Sequence, residues 1–257
     1  MEIKGILFDK DGTLIDFNSF WIRVAKSVVP EFLKENQIPA DQKHIDLVME
    51  AMGIFGDYVD PNGALAYKSN REIAEGVAES LAGNGIQTDS RQVQEQLVRL
   101  FEESIFEQKI PFQTFTDLPE LFRRLKAKEI RLGIATADTM VSAKHCVQEL
   151  QIEELLDYIG ADDGTVRPKP EPDMFEAFCE AYGLKPGEVA VVGDTRNDMK
   201  FARNCKGKAI GVLSGVSAKE DFEDLADMVI PSVADIFSIL EPGEKNEDQN
   251  PKIRQDI

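Results

Sequence analysis

From Leu118 onward, short apolar runs alternate with amphipathic helical segments, and few architectures accept that order. Leu118 to Lys128 has helical spacing, Ile130 to Thr136 reads as a buried strand, Thr139 to Leu150 as a helix and Tyr158 to Ala161 as a short strand. The rhythm continues through Asp173 to Tyr182, Val189 to Gly193, Arg196 to Cys205, Ala209 to Leu213, Lys219 to Leu225 and Met228 to Ile230, and Val233 to Leu240 closes it. Strands separated by helices at this spacing predict right-handed crossovers and a parallel, doubly wound α/β sheet. The run Ile6-Leu7-Phe8 supplies one more strand at the start of the chain.

Residues 18–110 break the rhythm. They show helical periodicity and no buried strand. Phe17, Phe20, Trp21, Val24 and Val28 make one stripe, and Leu47, Val48, Ala51 and Met52 a second. Ile73, Val77 and Leu81 make a third, and Val93, Leu97, Phe101 and Ile105 a fourth. Four such helices bury their stripes in a small bundle, which Asp60-Pro61-Asn62-Gly63 splits near its middle. The expected organisation is a discontinuous core of residues 1–17 and 111–240, with a helical bundle of 18–110 inserted after the first strand. The charged, proline-containing stretch 241–257 lacks the apolar residues to bury itself and reads as a mobile tail.

Composition narrows the functional classes. The 257 residues carry a formal net charge of −18, opposite to the basic footprint of a nucleic-acid binder. No stretch is apolar enough to span a bilayer, the first residues lack a signal-peptide layout, and three scattered cysteines give no disulfide framework. A cytoplasmic protein acting on a small molecule, without nucleic acid or membrane, is the expectation. As a monomer or a homodimer, it would admit an anionic substrate only where a metal and local lysines reverse the overall field.

The first strand ends in Asp9-Lys10-Asp11-Gly12-Thr13. Alternation aims residues i and i+2 at one side, so Asp9 and Asp11 are expected to converge, and converging carboxylates call for a cation or a shared proton. Thr136 follows the strand Leu132-Gly133-Ile134-Ala135. Lys169 stands between prolines just before a helix, and Asp194 and Asp198 follow Val189 to Gly193. Open α/β sheets bind ligands beyond the carboxyl ends of their strands, where these residues gather. Asp9 can attack phosphorus as a nucleophile, and Asp11 can protonate the leaving oxygen and then deprotonate water. Mg²⁺ takes oxygen ligands, here Asp9, Asp194 and a main-chain carbonyl near Asp11. Lys169 adds a point charge on the phosphoryl oxygens, and Thr136 donates a hydroxyl hydrogen bond.

Together these residues resemble the haloacid dehalogenase superfamily, in particular its phosphatases. Asp9-Lys10-Asp11-Gly12-Thr13-Leu14 matches the superfamily's nucleophile motif, Thr136 its Ser/Thr motif, Lys169-Pro170 its lysine motif and Gly193-Asp194-x-x-x-Asp198 its acidic metal motif. The resemblance runs from residue 3 to about 240. It implies a Rossmann-like core, Mg²⁺ and a helical cap that closes over the core and selects a small phosphorylated metabolite. The segment Lys169-Pro170-Glu171-Pro172-Asp173-Met174-Phe175 looks most like the phosphoglycolate phosphatase-type subfamily.

The chain departs from that pattern in two places. Ala137-Asp138 replaces the asparagine often found after the motif-two threonine, and Asp138 reads as the N-cap of the helix starting at Thr139. Phe17-Asn18-Ser19-Phe20 replaces a small polar stretch, which leaves the substrate open. Asp198 is expected to orient the site rather than to bind metal directly. Trp21 and Phe20 read as bundle core, Lys68 and Arg71 as a solvated face, and Arg167 and Arg196 as enriching the local positive field. Two rivals share the motifs: a phosphomutase, which returns the phosphoryl group to a sugar, and a silent binding protein.

Overall fold

The computed structural model describes residues 2–60, 63–108, 111–162 and 164–240. Pro61 and Asn62 of the turn signal, the 110/111 boundary and the stretch 241–257 lie outside them. The chain enters through β1 (Gly5–Phe8), all four residues of which are buried. A parallel strand covered on both faces has no solvent side, which is why Ile6-Leu7-Phe8 shows no alternation.

The chain then leaves the sheet for a helical unit. It comprises α1 (Phe17–Glu35), α2 (Gln42–Ala51), a hairpin of β2 (Ile54–Phe55) and β3 (Tyr58–Val59), α3 (Ala64–Tyr67), α4 (Asn70–Gly83) and α5 (Ser90–Gln108). The four apolar stripes face one another and form a cluster of their own, built from residues between Phe17 and Ile105. The hairpin corrects the expectation of helices alone. Each of its strands is two residues long, with Ile54 and Val59 buried and Phe55 and Tyr58 exposed, too short an alternation to register as a pattern. A capping box between Ser69 and Glu72 starts α4.

The chain returns through α6 (Leu118–Lys126), β4 (Arg131–Ala135), α7 (Met140–Glu149), β5 (Tyr158–Gly160), α8 (Asp173–Tyr182) and β6 (Val189–Gly193). It ends with α9 (Arg196–Asn204), β7 (Lys208–Val212), β8 (Met228–Ile230) and α10 (Phe237–Leu240). The sheet has six strands in the order β5-β4-β1-β6-β7-β8, every pair parallel. This is the expected doubly wound α/β architecture. One apolar cluster lies on each face of the sheet.

Two local expectations need correction. Lys219–Phe222 is a single 3₁₀ turn rather than a helix to Leu225, because Phe222 is the segment's one fully buried anchor. The N-cap of α7 is Thr139, whose hydroxyl accepts from Ser142 N, and not Asp138. No described helix is long and apolar enough to cross a membrane.

Candidate active site

Strand order decides what meets. β1 sits between β4 and β6 with Phe8 in register with Ile134 on one side and Val192 on the other. The residues that follow these strands, Asp9, Thr136 and Asp194, therefore emerge side by side at the sheet's carboxyl edge. The chain leaves β1 for β4 on one side and later returns to β6 on the other, so this edge is also the topological switch point.

Asp9, Asp194 and Asp198 are buried, and one carboxylate oxygen from each lies within 4.8 Å of the others. Among the described residues, a single cation enters the group. Lys169 Nζ stands 2.6 Å from Asp9 Oδ1 and 2.6 Å from Asp198 Oδ1. Its loop is tied down by α9: Asn197 Nδ2 donates to Lys169 O at 3.1 Å, and Asn204 Nδ2 to Pro170 O at 3.0 Å. The other Asp198 oxygen accepts from Thr195 N and Oγ1, so this aspartate also closes the capping box of α9.

Burial, with Asp198 and Asp11 nearby, pushes the Asp9 carboxyl up to about 7 against the pull of Lys169. Burial with Asp9 and Asp198 raises Asp194 well above the ordinary carboxylate range. Asp194 accepts from Val216 N at 3.0 Å and from Thr13 Oγ1 at 3.5 Å. A Cβ on Gly12 or Gly215 would press on its carboxylate and force it to shift, and Gly12, at φ +80°, needs glycine for its backbone as well.

Asp11 has different company. Its Oδ2 lies 2.6 Å from Lys10 Nζ, and its Oδ1 accepts a hydrogen bond from Trp21 Nε1. Asp9 and Asp11 thus border one cavity while two different lysines hold them. The carboxylate group itself consists of Asp9, Asp194 and Asp198, and the Asp11 side chain is not part of it. Thr136 is buried beside them. Its Oγ1 accepts from Asp138 N at 3.1 Å, and its hydroxyl proton has no acceptor among the described residues.

Asp9, Asp11, Thr136, Lys169 and Asp198 line a cavity of about 70 Å³ between the sheet edge and the helical unit. The opposite wall is mostly apolar, from Phe17, Trp21, Leu65, Ile73, Phe101 and Ile105, with Lys68 and Asn70 among them. Lys68 therefore borders the cavity instead of lying on a solvated face. Arg71 is exposed and pairs with Glu75. Arg167 is paired with Glu171 and Asp173, and Arg196 with Asp224, and neither lines the cavity, which corrects their expected contribution to its field.

Sequence reasoning missed Lys10 and gave Trp21 only a packing role. Trp21 does pack edge-on against Phe20 and Phe101, yet its N–H points out of the bundle. A lysine between two aspartates at the end of an apolar strand was the available signal.

The family model described as haloacid dehalogenase-like hydrolase matches residues 3–206. The chain belongs to this family. Along nearly its whole length, this haloacid dehalogenase-like hydrolase is similar to phosphatases. An N-acetylmuramic acid 6-phosphate phosphatase of Pseudomonas aeruginosa is 21% identical over 245 residues, spanning 94% of this chain and 96% of the relative. The pyrophosphatase PpaX of Bacillus cereus is 23% identical, spanning 93% and 97%. Among solved structures, a predicted phosphoglycolate phosphatase from Haemophilus somnus superposes with a TM-score of 0.71 at 21% identity, covering 94% of this chain and 99% of that one. These similarities support an enzyme of the phosphoric monoester hydrolase class.

Proposed function

We propose that this chain is a Mg²⁺-dependent phosphatase that hydrolyses a small phosphomonoester through an aspartyl-phosphate on Asp9. The observation that carries the reading is the excess of buried carboxylate. Asp9, Asp194 and Asp198 share one lysine, and a hard cation with oxygen ligands fits that deficit. Held by these three side chains, with the main-chain carbonyl near Asp11 as a further donor, Mg²⁺ would supply the positive charge that lets an anionic phosphate approach an anionic nucleophile.

The remaining chemistry belongs to the chain. Lys169 keeps Asp9 in place and presents its ammonium to the phosphoryl oxygens, while the Thr136 hydroxyl donates to the same group. An Asp9 carboxylate oxygen forms a bond to phosphorus as the ester P–O bond breaks. Asp11, which burial holds above the ordinary carboxylate range, gives its proton to the departing oxygen. The resulting Asp11 carboxylate then takes a proton from water as the water oxygen bonds to phosphorus. Asp9 is released with inorganic phosphate.

The helical unit acts as the cap in this reading. It excludes bulk water and, through its apolar wall, Lys68 and Asn70, selects the leaving group. The small cavity supports a small phosphorylated metabolite, of the phosphoglycolate or sugar phosphate kind.

Phosphate release from a panel of phosphorylated metabolites, with and without Mg²⁺, tests the reading. Turnover is expected to require the metal and to fall by at least about 10³-fold in Asp9→Asn. Wild-type turnover in that variant would sink it.

A further inference from the structure

Lys10 is 1% exposed, and the proposed reaction gives it no part. Removing an ammonium from water is costly, so a lysine this buried calls for a reason. Its contacts supply one. Nζ lies 2.6 Å from Asp11 Oδ2 and 3.3 Å from Asp138 Oδ2, and it stands 5.5 Å from the centre of the Trp21 ring. It makes no ion pair with Asp9, Asp194 or Asp198.

Asp138 is itself anchored. One of its oxygens accepts from Thr139 N at 2.8 Å and the other from Ser142 Oγ at 2.6 Å, which ties it to the first turn of α7. The departure Ala137-Asp138 and the lysine of the first motif thus meet in one place. Trp21, from α1 of the helical unit, completes the arrangement by donating to Asp11 Oδ1. One donor on each oxygen fixes the plane of a carboxylate and leaves each oxygen a lone pair for the proton it must carry.

We infer that Lys10, anchored by Asp138, is a positioning residue that holds the Asp11 carboxylate against Trp21 in the one orientation from which it can serve the leaving oxygen. The inference rests on the reading of Asp11 as the acid–base group. It also makes proton transfer depend on the helical unit, because Trp21 supplies half of the clamp.

Two aryl esters separate this role from simple support of the fold. p-Nitrophenolate departs without help from an acid, whereas phenolate gains from a proton. Lys10→Met keeps the length of the side chain and removes the charge. A misplacement of the order of an ångström costs about 10²-fold, so kcat/KM for phenyl phosphate should fall by about that factor. For p-nitrophenyl phosphate the fall should be about tenfold smaller. In an Asp11→Asn background, Lys10→Met should cost less than about twofold more, because residues that act through one another are not additive.

Equal losses on the two esters, or losses that multiply in the double variant, would overturn the inference. Where Lys10→Met does not fold, Asp138→Asn and Trp21→Phe take its place in the same cycle, with the same non-additivity expected. Asp9→Asn serves as the reference. If it retains turnover, the covalent mechanism fails; if it is inactive while the Lys10 and Asp11 losses multiply, only the positioning role fails.

Discussion

Two buried lysines meet the aspartates of the first motif, and each bridges two aspartates. Lys169 bridges Asp9 and Asp198, and Lys10 bridges Asp11 and Asp138. They differ in what surrounds them. Beside Lys169 stands a third buried carboxylate, Asp194, with no second cation among the described residues. Around Lys10 the remaining oxygens are met by neutral donors: Ser142 Oγ, Thr139 N and Trp21 Nε1. The first group has a charge deficit that a metal ion would fill, and the second is closed. Two aspartates two residues apart thereby stand in separate environments, as the proposed roles of nucleophile and proton carrier would require.

The contrast can be broken at its strongest point first. Lys169→Met leaves three buried carboxylates without a cation, and breaking a buried pair costs about 3–5 kcal/mol. Metal-free protein should lose stability on that scale, with phosphatase activity falling by about 10³-fold or more. Added Mg²⁺ should return much of the stability but little of the activity, as thermal unfolding and phosphate release would read.

Metal-free wild-type protein offers a pH test. The Asp9 carboxyl moves from an ordinary 3.8 to about 7 on folding. Between those values the folded chain keeps a proton that the unfolded chain has released, so stability should fall as pH rises from about 4 to about 7. Asp194 and Asp11, both raised, act in the same direction. Mg²⁺ held as proposed would favour the ionised forms of Asp9 and Asp194 and should remove most of the slope, leaving the part that belongs to Asp11. Stability that rises over this range without metal would contradict the charge deficit.

A smaller effect probes the wall of the metal group. Gly215→Ala places a methyl group against the Asp194 carboxylate and should weaken Mg²⁺ activation by about tenfold, with little change at saturating metal. The smallest effect is expected outside both groups. Arg196 is held by Asp224, so Arg196→Ala should change kcat/KM by less than about twofold.

The sheet was legible because each parallel strand is built on an apolar run and the helices between strands carry stripes. The four helices were legible for the same reason. β2 and β3 were not, because two-residue strands have no period. The site was legible in its residue types, since Asp9, Thr136 and Asp194 each follow a recognisable strand. What alternation could not give was the partner of each carboxylate. Asp9 and Asp11 share a strand end, but Lys169 arrives from a loop 160 residues away, and Trp21 from a helix turn whose spacing spoke only of packing. The double duty of Asp198, closing a helix cap with one oxygen and bridging to Lys169 with the other, needs the fold to be seen.

The division of labour between the two aspartates can be read directly by acid-quenching a reaction of the Asp11→Asn variant with p-nitrophenyl phosphate and Mg²⁺. That ester needs no proton to leave, whereas release of Asp9 needs the base. The account predicts one burst of p-nitrophenolate per active site, with a phosphoryl group on the peptide of residues 5–10, which holds Asp9. The absence of any burst, together with an unmodified peptide during turnover, would contradict it.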